Sequence, residues 1–157
     1  MHIEDQNNSF EEFEKPEITT KDRRKLLPWW IRFFCWVFMP LGVIAIATIP
    51  IGLFGFPTDL SIYGLSTTNS ISLIGLGIIA VMTFKAYVAY LLFFGKDRAI
   101  ELGKIDALIG ILISIVTTVS QFIDNSPNFY IRIEIVFLIL YFIKLNKIEY
   151  QWDNIEE

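Results

Sequence analysis

Four apolar stretches occupy most of the chain between Trp29 and Leu145, and lysine and arginine fall in every second gap between them. In lipid a chain has to satisfy its own backbone hydrogen bonds. That leaves helices or closed barrels, and a hydrocarbon layer about 30 Å thick asks for roughly 20 apolar residues per helix. Phe33 to Thr58 runs 26 residues without a charge, Ser70 to Phe94 is broken only by Lys85, and Ala107 to Ile123 runs 17 residues. The fourth stretch, Asn128 to Leu145, is weaker. It contains Arg132 and Glu134, and its Ile131, Ile133 and Ile135 alternate as in a strand. A lone strand would leave backbone groups unpaired in lipid, whereas a helix docked on three others can turn Arg132 to the headgroups and Glu134 inward. The expectation is an all-α integral membrane protein with four transmembrane helices in an up-down bundle, over about 29–54, 70–94, 104–123 and 128–145.

Basic residues set the orientation. The N-terminal flank carries Lys21, Arg23, Arg24 and Lys25, the gap from Gly55 to Asn69 carries none, and the gap from Gly95 to Lys104 carries Lys96, Arg98 and Lys104. The gap from Asp124 to Asn128 again has none, and the C-terminal tail has Lys144 and Lys147. This alternation predicts a protein of a bacterial-type cytoplasmic (inner) membrane with both termini cytoplasmic. Residues 1–28 are polar and mostly acidic and lack the apolar core of a secretory signal, so the first helix is expected to be an anchor and not a cleaved leader.

Trp29, Trp30 and Trp36 cluster where the first helix begins, as rings that favour the headgroup layer do, and are read as membrane anchors. Pro40 and Pro50 are expected to bend or loosen that helix, with a kink near Pro40. Gly55 to Asn69 is the longest connection and is expected to lie along the surface as a turn of interfacial helix. Asp124-Asn-Ser-Pro-Asn reads as a tight connection between antiparallel neighbours. Residues 144–157 should prolong the fourth helix, with Ile148, Trp152 and Ile155 on a stripe resting on the membrane surface or a partner.

The net charge of -4 reflects the acidic start, where Glu4, Asp5, Glu11, Glu12, Glu14 and Glu17 are opposed only by Lys15. No field for nucleic acid follows. Cys35 is the only cysteine and His2 the only histidine, so an internal disulfide is impossible and the usual His and Cys metal sites lack raw material. Phosphate loops, paired catalytic carboxylates and a serine with a nearby histidine are absent from the sequence. No cofactor and no catalytic activity are expected.

Two features carry more specific expectations. Gly103, Ala107, Gly110, Ser114, Thr117 and Gln121 recur at spacings of 4, 3, 4, 3 and 4, one continuous small or polar helix face suited to close helix packing. Lys85 lies deep in the second stretch, where a lysine costs about 2.5 to 3.5 kcal/mol on insertion scales. Counted from the cytoplasmic boundary, Glu134 stands level with it and is the expected partner. Asp106, two residues past Lys104, is expected near the interface, pairing with Lys104, Arg98 or a helix N-terminus. The Lys85 and Glu134 pair is either structural or part of ligand, ion or proton handling, with Thr83, Tyr87, Tyr90, Ser114, Thr117 and Gln121 as further possible lining. The sequence therefore supports two roles. One is an accessory or scaffold subunit of a larger membrane complex, whose partners are the lipid bilayer and a membrane protein or a second copy. The other is a small channel or transporter.

Overall fold

Proline 28 brings no backbone N–H to a helix, and α1 (Trp29–Leu53) begins directly after it. In this computed structural model, which describes residues 23–123 and 133–153, the remaining elements are β1 (Leu60–Ile62), β2 (Leu65–Thr67), α2 (Leu73–Phe93), α3 (Ala99–Ile123) and α4 (Ile133–Asp153). The acidic start, the 124–128 connection, Arg132 and Ile155 lie outside the described residues. α1 runs as one helix through Pro40 and Pro50.

Helix ends follow local chemistry. α1 and α2 each stop in the same way: Gly55 (φ 79°) and Gly95 (φ 64°) take the left-handed conformation. Gly55 N–H then donates to Gly52 O and Phe56 N–H to Ile51 O, while Gly95 N–H donates to Leu92 O and Lys96 N–H to Leu91 O, a pattern that satisfies the last carbonyls of each helix. α2 starts at Leu73 and not at 70, because Ser72 is its cap and accepts from Gly75 N–H at 3.0 Å. Asn69 Oδ1 meanwhile accepts from Ile71 N–H, and Ser70 donates to Thr48 O of α1 at 2.9 Å. α3 begins at Ala99, five residues earlier than the charge count places it, because the turn after Gly95 needs only a few residues. α4 continues to Asp153.

The connection after α1 is a β-hairpin and not an interfacial helix. Tyr63 (φ 50°) and Gly64 (φ 79°) form the two-residue turn, with Ile62 opposite Leu65 and Leu60 opposite Thr67. Its Leu60 packs on Ile78 and Ile79 of α2, forming the smaller core. The larger core lies toward the other end, where Leu27, Ile31, Leu92, Ile100, Leu145 and Trp152 meet.

Polar bonds close that end. Arg23 donates to Trp152 O at 3.1 Å and Gly95 O at 3.4 Å and pairs with Asp97, so one guanidinium serves the carbonyl-rich ends of α2 and α4. Trp152 Nε1 donates to Lys96 O at 3.2 Å, and Lys104 pairs with Glu149 at 2.5 Å. Ile148 and Trp152 are consequently core residues and do not form an outward stripe. The start of α1, the α2–α3 turn and the end of α4 thus share one end, and the hairpin lies at the other.

α1 and α2 form the most extensive helix pairing among the described residues. A Cβ on Gly42 would overlap Ala86 Cβ, whereas one on Gly77 would meet nothing within 4 Å. Gly42→Val is expected to lower stability by about 1 to 3 kcal/mol through overpacking. Gly77→Ala should be neutral or gain up to about 1 kcal/mol. Thermal unfolding in mild detergent checks both.

Candidate functional site

Lys85 and Asp106 face each other because of the turn between their helices. Lys85 stands eight residues before the end of α2 at Phe93 and Asp106 seven after the start of α3 at Ala99, so at 1.5 Å per residue both lie about 11 Å from the turn. Lys85 Nζ donates to Asp106 Oδ2 at 2.6 Å, with side-chain exposures of 9% and 3%. Glu134 is therefore not the partner of Lys85, and Asp106 is buried against that lysine and does not pair with Lys104, which bonds Glu149. Depth measured from α3's real start at Ala99 puts Asp106 two turns inside, whereas depth counted from Lys104 does not.

Aromatic rings cover the pair. Lys85 Nζ lies 5.2 Å from the centroid of Phe38 on α1 and 5.3 Å from that of Tyr63 at the hairpin tip, within cation–π range. Tyr63 reaches this depth because α3 leaves room for it. A Cβ on Gly110 would come within 2.8 Å of the Tyr63 ring, and Thr117 Oγ1 donates to Tyr63 O at 2.8 Å. Burial pushes the Tyr63 phenol well above its ordinary pKa, with the Asp106 and Glu134 charges adding to the shift, so it stays protonated at any working pH.

The small-residue face of α3 is shared between two neighbours. Gly103 faces Leu145 and Tyr141 of α4, while Gly110 faces Tyr63 and Leu138. Ala107, Ser114 and Thr117 are buried, and Gln121 is half-buried. Of the tryptophans, Trp29 (74% exposed) and Trp36 (65%) point outward, whereas Trp30 faces the interior. Tyr87 and Tyr90 are exposed, away from the pair.

Beside the ion pair lies a cavity of about 240 Å³. α1 supplies Trp30, Phe34 and Phe38, α4 supplies Glu134, Phe137 and Tyr141, and Tyr63, Lys85 and Asp106 close the inner wall. Phe34, Glu134 and Phe137 are exposed, so they form its mouth. Asp106 Oδ1 is buried and has no hydrogen-bond partner among the described residues. Sequence reasoning missed Tyr63, Phe38 and Tyr141. The dipeptide Tyr63-Gly64 between Ile62 and Leu65 was a readable turn signal, but nothing in it says that the tip turns inward. Comparison with protein-family models, with curated proteins and with solved structures gives no match to this chain.

Removing the lysine alone leaves a buried carboxylate without its counter-charge. Lys85→Met is expected to cost about 3 to 5 kcal/mol, and Lys85→Met combined with Asp106→Leu to recover most of it. Glu134→Gln should change stability by no more than about 0.5 kcal/mol. A double-mutant cycle on unfolding in detergent reads all three, and a large coupling of Lys85 to Glu134 in place of Asp106 would refute the assignment.

Proposed function

We propose that this chain is a four-pass membrane protein of a bacterial-type cytoplasmic membrane, with both termini inside, acting as a non-catalytic accessory or scaffold subunit of a larger membrane complex. Two helices are long and apolar enough to cross a membrane, α1 with mean hydropathy 2.1 and α2 with 1.9. Their most apolar windows are only 17% and 39% buried, unlike the core helices of a soluble domain. Large apolar side chains also face outward on α3 and α4, among them Leu112, Val116, Leu140 and Ile143, and a surface of that extent asks for lipid or a partner. Apart from Lys85, every lysine and arginine among the described residues belongs to the half of the bundle closed by Arg23, and the hairpin has none. That asymmetry supports the inside assignment of both termini.

The accessory role rests on one observation: the two deep charges neutralise each other inside the bundle. Charges consumed in this way specify an arrangement of helices. A second reading, a small channel or transporter, is favoured by the cavity that reaches Lys85 and Asp106 and by Glu134 at its mouth.

Topology is checked by single-cysteine labelling in a Cys35→Ser background. A cysteine at Asp59 should react with an impermeant reagent in intact cells and one at Gln151 only after lysis; the reverse pattern sinks the orientation. For the role, purification from native membranes should yield a complex larger than one chain with a stoichiometric membrane-protein partner. A strictly monomeric product would overturn the accessory reading. The second reading expects ion or proton flux in liposomes that Lys85→Met abolishes, and background flux in both proteins would remove it.

A further inference from the structure

The mouth of the cavity, between α1 and α4, carries a charge that the rest of the interior does not answer. Its lining holds one ammonium, Lys85, against two carboxylates, Asp106 and Glu134. Lys85 gives its contact to Asp106 Oδ2, which leaves Asp106 Oδ1 without a donor, and Glu134 has no ion-pair partner among the described residues. The remaining wall is aromatic. Phe38 and Tyr63 already lie against Lys85, whereas Trp30, Phe34, Phe137 and Tyr141 offer further rings.

Surplus negative charge in an aromatic setting is the chemistry that holds an organic cation. Ring faces attract a desolvated ammonium, most strongly where its attached carbons also lie against apolar surface. We propose that this cavity binds an ammonium group carried on a compact apolar body, with Glu134 facing the charge at the mouth and the buried carboxylate of Asp106 reinforcing it from within. A cavity of about 150 Å³ holds benzene, so one of about 240 Å³ takes a ligand of roughly ten non-hydrogen atoms. An anion is disfavoured because it would have to draw Lys85 from Asp106 and leave a buried carboxylate uncompensated. A neutral hydrocarbon would fill the volume but gain nothing from Glu134. The proposal does not depend on whether the chain serves as an accessory subunit.

Benzyltrimethylammonium fits these limits, and neopentylbenzene is its uncharged isostere. Binding of both to the full chain in maltoside micelles, followed by titration calorimetry, tests the site. The cation is expected to bind saturably at one site per chain and more tightly than the isostere. Glu134→Gln should weaken the cation roughly fivefold or more while leaving the isostere unchanged, and Phe137→Leu should weaken both. Both variants alter exposed positions, and an unchanged unfolding midpoint shows that the fold is retained. Added phosphatidylcholine separates the two sources of such a group. Competition by it assigns the site to a lipid headgroup, and lack of competition assigns it to a free amphiphile. Absence of saturable cation binding, equal affinity for the isostere, or indifference to Glu134→Gln would each overturn the proposal.

Discussion

A lysine and an aspartate that meet at 2.6 Å inside a largely apolar bundle restrict nearly everything around them. Either charge alone would be strongly destabilising at that burial, so α2 and α3 are confined to the register that brings the two together. The restriction extends further, because the ammonium also lies against Phe38 of α1 and Tyr63 of the hairpin. Four separate segments thereby converge on one pair of charges. The pair need not add net stability to have this effect; its contribution is to make other arrangements costly.

The hairpin tip shows how local strain is held by tertiary contacts. Tyr63 takes a positive φ that a bulky residue rarely adopts. Its ring occupies the space over Gly110, and its carbonyl accepts from Thr117, so α3 holds the turn in place. The same ring is a wall of the cavity and a cover for Lys85. Displacing the hairpin would therefore open the ion pair and enlarge the cavity together.

Much of the architecture is legible in the sequence. Four apolar stretches correspond to four long helices, and the Gly55 and Gly95 positions end two of them as glycine allows. The spacing of Gly103, Gly110 and Thr117 marked a real face of α3, although not what covers it. Charge position alone places Asp106 too shallow for a definite reason: Lys104 is already a turn and more inside α3. Measured from the Gly95-Lys96 turn, Lys85 and Asp106 are each ten residues away, a signal available in the sequence. Trp152 departs from its pattern in the opposite direction, because it is fully buried. Its stripe looked exposed because its cover comes from Leu27, Arg23 and the Lys96 carbonyl, which are remote in sequence.

Composition and spacing by themselves determined that the chain forms long apolar helices with basic residues toward one end, because helix formation, helix capping and charge asymmetry are properties of neighbouring residues. Only the tertiary structure decided that Asp106, and not Glu134, takes the charge of Lys85, that the loop after α1 becomes a hairpin with Tyr63 turned inward, and that a cavity stays open between α1 and α4. Those outcomes depend on the rotation of each helix about its own axis and on contacts between residues far apart in the chain. Period and composition do not encode them, since several rotations satisfy the same apolar pattern until the buried charges select one.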